Sequence, residues 1–307
     1  MHARKDGVAF HGSDPYDRAP RMPSAADRTR RDEAVGALSL DELYAPLPPL
    51  VEETLVASVK ALASSVPAPR DDPFYGLDRL DGSSTRALER LTGHGDFRKY
   101  VHVLDAGAGL GSGARWLARR FGCRVLLLDA APARLALAAR LTSRAGLGER
   151  MRTVAGRVEA IPLRAGVFTQ IWSVETLHHV AERDAALREL FRVLRPGSTL
   201  ALQEIVRRSE QVPVRGGPWR HGTEAEYREH LAAAGFREIV VEDVTDERAE
   251  VSPVVLSARE RWLGALHERL PADAPWLRAI AAGHAAAAEI SGPDYRVVQL
   301  FARRPST

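Results

Sequence analysis

The 307-residue chain is long enough to bury a sizeable core and allows one large domain or two ordinary ones. Its 45% hydrophobic and 27% charged residues are those of a folded domain, which excludes wholesale disorder and fibrous architectures. The 43 Lys and Arg interleave with 40 Asp and Glu for a net charge of +3, so nucleic acid is not the default partner, and no window reaches the roughly 18 apolar residues of a membrane helix.

Residues 1–37 carry Gly, Pro, Ser, Asp and Arg without apolar periodicity and read as a flexible leader lacking the apolar stretch of a signal peptide. From Leu38 helical spacing sets in. Leu50, Leu55, Val56, Val59 and Leu62 form one stripe, and Leu88 and Leu91 belong to a second short helix, so 38–98 is expected to be a helical cap. Beyond residue 99 short apolar runs alternate with amphipathic segments, the pattern of repeated βαβ units. Strands are expected at 101–106, 124–129, 152–155, 168–173, 198–204, 238–244 and 295–302. Helices are expected at 111–121, 133–144, 183–194 and 224–234, with a further helical stretch at 257–290 broken at Pro271 and Pro275. The predicted fold of 99–307 is thus α/β: a Rossmann-like, seven-stranded, mostly parallel sheet flanked by helices, with an N-terminal helical cap and a helical insertion before the last strand. Cys123 is the only cysteine, which rules out an internal disulfide and fits a cytoplasmic setting.

The first strand carries the strongest chemical signal. It ends in an acid, Asp105, and glycine then recurs at Gly107, Gly109, Gly111 and Gly113 before a helix. Glycines at a strand-to-helix bend let a ligand approach the backbone, and the helix N-terminus offers free N–H groups. A dinucleotide turn would place its third glycine where Ser112 stands, whereas D-x-G-x-G-x-G runs unbroken from Asp105 to Gly111 and favours S-adenosylmethionine. The second strand ends in Asp129, about twenty residues after the turn, where ribose hydroxyls need an acceptor. Asp129 also precedes a helix and suits its N-terminus, and both roles are compatible.

These features, taken in order, resemble the class I S-adenosylmethionine-dependent methyltransferases, particularly the small-molecule group with a ubiquinone-biosynthesis-like or dimethylglycine-methyltransferase-like core. The resemblance extends over roughly residues 75–305. Further pieces carry it: Glu159-Ala160-Ile161-Pro162-Leu163; the strand and loop from Phe168 to Val180 with Glu175, His178 and His179; Arg195-Pro196-Gly197; and Ala234-Gly235-Phe236. It implies that Asp105, Gly107, Ala108, Gly109 and Gly111 hold the methionine part, with Ser173 beside Trp172 and Val174 on that side. It likewise implies Asp129 on the ribose and Ala130, Arg157, Val158 and Glu159 at the adenine edge. Residues 77–85 look like the segment that folds across the cofactor, without its usual paired glycines. Arg157 departs from the acid common at that position. A guanidinium has donors only, so either Glu159 or a backbone carbonyl meets the adenine amine, or Arg157 stacks on the ring.

His178 and His179 suit a general base for an attacking hydroxyl or amine, or a scaffold role, and Glu175 beside them suits orientation of a substrate amine. Adjacent histidines seldom meet one ion, so no metal is expected. Arg208, Arg215, Trp219 and His221, with Arg207 and Arg220, cluster after the fifth strand and either clamp an anionic acceptor or form a solvated loop. Trp262 and Trp276 read as core. The function expected is methyl transfer to a small molecule in specialised metabolism, anionic where the basic cluster acts as a clamp, by a monomer or homodimer without nucleic-acid or membrane partners. Two alternatives stay open: transfer or cyclisation of the aminocarboxypropyl arm of the same cofactor, and a methyltransferase-like protein that binds ligand without turnover.

Overall fold

The computed structural model describes residues 45–214, 219–278 and 292–306. The expected leader and Arg215 lie outside the described residues. Seven strands form one sheet: β1 (His102–Ala106), β2 (Arg124–Asp129), β3 (Met151–Ala155), β4 (Phe168–Val174), β5 (Leu194–Arg207), β6 (Arg237–Asp243) and β7 (Tyr295–Arg303), in the order β3-β2-β1-β4-β5-β7-β6. β1 pairs in parallel with β2 and β4, β2 with β3, and β4 with β5, while β7 runs antiparallel to both β5 and β6. The predicted α/β sheet is therefore present with one reversed strand near its edge. Its central strands are buried on both faces, as parallel strands covered by helices must be; in β1 only His102 is exposed.

The first helices are α1 (Pro49–Ala63) and α2 (Thr85–Leu91), followed by α3 (Ser112–Phe121), α4 (Pro132–Arg144), α5 (Arg183–Val193), α6 (Glu224–Ala233), α7 (Thr245–Ala249) and α8 (Pro253–Arg269). Local chemistry sets several of their ends. Pro132 opens α4, a capping box of Thr223 and Glu226 opens α6, and Gly122 closes α3 in the left-handed conformation at φ 70°. One core cluster joins α1, α3, α4 and α8 to one face of the sheet through Val51, Leu55, Leu117, Leu137, Trp262 and Phe301. The other face is closed by α5 and α6 through Leu187, Leu190, Tyr227 and Leu231.

Two boundaries differ from expectation. β5 starts at Leu194 because the chain leaves α5 directly into a ladder with Phe168 and turns at Gly197, φ +77°, without leaving the sheet. α8 starts at Pro253, which has the fixed φ suited to a first helical turn, four residues before the periodicity became legible. The expected continuation past residue 278 lies outside the described residues until 292. α7 is too short for periodicity to reveal.

Candidate active site

The strand order reverses between β1 and β4, and a crevice opens at the carboxyl ends of these strands. A cavity of about 560 Å³ fills it. The bend after β1 forms its floor, with Gly107, Gly109 and Gly111 at φ of +79°, +54° and +73°. A methyl group at Gly107 would strike the Thr176 side chain and one at Gly111 would lie 2.6 Å from Leu127, so these two glycines let the bend pack. A methyl group at Gly109 would meet nothing within 4 Å, which leaves an open cradle towards the cavity.

Asp129 buckles two turns together: Oδ2 accepts the Gly109 N–H at 2.8 Å and Oδ1 accepts the Ala131 N–H at 2.8 Å. A carboxylate has about four acceptor sites, so capacity remains for ligand hydroxyls in the cavity that Asp129 lines. Asp105 also lines the cavity and is buried. Burial, reinforced by the carboxylates of Asp129 and Asp81, pushes its pKa up to about 8. A ligand cation at this strand end would relieve that cost.

A segment ahead of β1 covers the bend. Arg115, near the start of α3, pairs with buried Asp78 and donates to the Leu110 carbonyl at 2.6 Å. Arg79 pairs with Asp72 at 2.8 Å and donates to the Ser83 carbonyl at 3.0 Å. On the other side Glu175, in the left-handed region at φ +49°, is gripped by Arg248 through contacts of 2.7 and 3.0 Å. Burial works against the Arg248 charge, but Glu175 outweighs it and holds the guanidinium protonated. Arg248 also donates to the Asp81 carbonyl at 2.5 Å, which ties the covering segment to the loop after β4.

His178 sits in the short 3-10 turn Leu177–His179, and its Nδ1 lies 3.0 Å from Glu204 Oε2. Glu204 also accepts the N–H groups of Thr176 and Leu177 at 3.0 and 2.7 Å and the Tyr227 hydroxyl at 3.3 Å. Burial pushes the Glu204 pKa up, and the two backbone N–H groups and Arg183 pull it back; with the carboxylate ionised by that donor set, Nδ1 is the protonated nitrogen and Nε2 an acceptor. Burial first, then the charges of Arg183 and Arg248, push the His178 pKa down to about 3. His221 is pushed down to about 3 by burial and the adjacent His178, ring centroids 4.8 Å apart.

Of the residues singled out from sequence, the cavity gathers Asp105, Gly107, Ala108, Gly109, Asp129, Glu175, His178, His179, Trp219 and His221. Gly111 supports the bend from beneath. Ser173 is wholly buried and donates to the Ala106 carbonyl at 2.7 Å, bracing β4 on β1. Ala130, Arg157, Val158 and Glu159 are not in the lining; Arg157 is exposed and pairs with Glu159 at 2.5 Å, and Val158 belongs to the core. Arg208 is exposed and donates to the Tyr295 carbonyl at 3.1 Å, away from the cavity. Trp262 and Trp276 are buried as expected, yet both also form cavity wall. Glu204 and Arg248 were not foreseen, and Asp78 was expected only as part of the covering segment 77–85. An acid closing the fifth strand was visible as Glu204, but its partner is 26 residues away in the chain.

The strand order and the glycine cradle are those of the class I S-adenosylmethionine-dependent methyltransferase fold, and the residues present fit that cofactor: an open cradle at Gly109, a carboxylate with spare acceptor capacity in Asp129 and an acid at the strand end in Asp105. Residues 104–202 match the family described as a methyltransferase domain. The chain is 31% identical over 184 residues to a sarcosine/dimethylglycine N-methyltransferase of Halorhodospira halochloris, covering 58% of this chain and 64% of that protein. It is 33% identical over 143 residues to the methyltransferase GfsG of Streptomyces halstedii, covering 44% of this chain and 51% of that one. The chain thus spans about half to two thirds of the length of these curated relatives. Among solved structures the cyclase SpnF superposes with a TM-score of 0.61 over 83% of this chain and 94% of its own, at 24% identity, a likeness of fold. Among the described residues no helix is long and apolar enough to cross a membrane, and no cluster of residues suits a metal ion.

Proposed function

We propose that the protein binds S-adenosylmethionine and catalyses methyl transfer to a small-molecule acceptor in the cytoplasm, in specialised metabolism, as a monomer or homodimer without nucleic acid. The observation that carries this reading is the shared cavity of the Gly109 cradle, Asp105, Asp129 and the His178–Glu204 pair. Residues 45–98 serve as its cap. Bound cofactor supplies an already activated, sulfonium-borne methyl group. What remains for the protein is to orient the acceptor, exclude water and take a proton, and orientation alone is worth roughly 7–11 kcal/mol.

In this reading Asp129 accepts from the ribose hydroxyls and Asp105 faces the cofactor's ammonium. His178 Nε2 accepts the acceptor's proton while Glu204, 3.0 Å from Nδ1, offsets the charge that appears on the ring. Glu175, gripped by Arg248, serves to orient the acceptor. His179 lines the same space as a second, less supported base. Among the described residues of the basic loop an anionic acceptor gains no support, because Arg208 lies outside the cavity and burial keeps His221 neutral.

Product analysis tests the reading. S-adenosylhomocysteine formed in step with acceptor loss supports it. Methylthioadenosine would indicate transfer of the aminocarboxypropyl arm, and tight nucleoside binding without turnover would indicate a ligand-binding protein.

A further inference from the structure

We propose, resting on the cofactor reading above, that the acceptor is a bulky, uncharged, largely apolar molecule carrying a hydroxyl, seated between Leu256 and the Trp262–Trp276 pair. Besides the glycine cradle, the cavity is lined by Leu80, Val251, Leu256, Trp262, Leu263 and Trp276, with Arg259 and Glu260 among them on α8. Most of this wall comes from α8 and the chain on either side of it. The two indoles lie 6.1 Å apart at 57°, and Trp262 is fixed by donating its Nε1–H to Thr54 Oγ1 at 3.0 Å. A rigid aromatic corner of this kind offers area to an apolar body and little to a small zwitterion.

The rim repeats the theme. Leu80, on the covering segment, and Leu256, on α8, both line the cavity and are 43% and 41% exposed. Large apolar side chains left facing water around a cavity mark the place where an apolar ligand covers them.

Charge points the same way. A small amino-acid acceptor brings a carboxylate and an amine that must be matched once buried. The guanidiniums nearest this region already have partners: Arg248 on Glu175, Arg79 on Asp72, and Arg259, whose pKa burial lowers, on the Gly76 carbonyl at 2.7 Å. Among the polar groups of the lining, His178 presents a free ring nitrogen that accepts from a hydroxyl, and Glu260 is an exposed carboxylate on the α8 side.

The test follows intrinsic tryptophan fluorescence of protein saturated with S-adenosylhomocysteine during titration with estradiol, a neutral hydroxylated apolar probe, and separately with sarcosine, a small zwitterion. The expected result is saturable quenching by estradiol and none by sarcosine. Leu256→Asp, and independently Val251→Asp, should weaken estradiol binding about tenfold or more while nucleoside affinity is unchanged. Quenching by sarcosine alone, quenching by neither probe, or estradiol binding indifferent to both substitutions would overturn the inference. If S-adenosylhomocysteine fails to bind, the cofactor reading falls by itself, and estradiol quenching that still depends on Leu256 would leave the acceptor inference standing.

Discussion

His178 and Glu204 meet across 3.0 Å, the histidine from the turn after β4 and the acid from near the carboxyl end of β5, both buried. Because Glu204 also collects two backbone N–H groups and the Tyr227 hydroxyl, its position is fixed independently of the histidine. The pair acts as a base and its counter-charge. His178→Ala should lower kcat by about 10²–10⁴-fold with little change in cofactor affinity, and Glu204→Gln should lower it by a similar order. His179→Ala should cost far less. Steady-state rates of the three variants decide this, and full activity of His178→Ala would assign the proton elsewhere.

Neutrality of His178 in the fold has a thermodynamic signature. Its folded pKa of about 3 lies below the unfolded value near 6.5, so the folded state binds fewer protons in that interval. The resulting stability is present above pH 6.5 and is lost as pH falls towards 3, with a slope of up to about 1.4 kcal/mol per pH unit. Urea unfolding of the parent and of His178→Gln at pH 5 and 7 should show the parent losing more stability on acidification. Parallel losses would contradict a buried neutral histidine.

Asp105 shifts in the opposite sense. Its folded pKa of about 8 means that the fold keeps a proton the unfolded chain has released above pH 4, so this group's stability is present below pH 4 and lost as pH rises through 8. An ammonium bound beside it favours the carboxylate instead. Binding of S-adenosylhomocysteine at pH 7 should therefore expel close to one proton, and affinity should rise about tenfold per unit between pH 6 and 8. Calorimetry in buffers of different ionisation enthalpy measures this. Asp105→Asn should abolish the proton release, and a pH-independent affinity in the parent would remove Asp105 from the ammonium site.

Two glycines two residues apart should respond differently to the same methyl group. Gly111→Ala places a methyl 2.6 Å from Leu127 at φ +73°, and should destabilise the fold by roughly 2 kcal/mol or more. Gly109→Ala meets no neighbour and pays about 1 kcal/mol for its left-handed backbone, but fills the cradle. It should weaken nucleoside binding at least about tenfold with a modest fall in Tm. Equal binding losses in the two variants would show that the space at Gly109 is not where the ligand lies.

Much of the fold was legible because parallel strands and their helices obey short-range rules. The runs at Val103–Asp105 and Val125–Asp129 end in acids at the carboxyl edge of the sheet, so Asp105 and Asp129 could be placed from spacing alone. His178, His179 and Glu175 were legible as residue types but not in role: Glu175 is occupied by Arg248, 73 residues on, and His178 by Glu204, 26 residues on. Such partnerships depend on strand order and on the packing of α7, which leave no periodic trace. The two readings of Arg208, clamp or solvated loop, could not be separated for the same reason, since chain proximity to β5 did not reveal that its side chain turns towards Tyr295.

The central claim is that a sulfonium nucleoside lies on the Gly109 cradle with its sugar on Asp129. Calorimetric titration of S-adenosylhomocysteine into the parent protein and into Asp129→Ala, with circular dichroism on both, tests it most directly. The account predicts saturable one-site binding by the parent and loss of binding by a folded Asp129→Ala; no binding by the parent, or near-equal affinity in the variant, would contradict it.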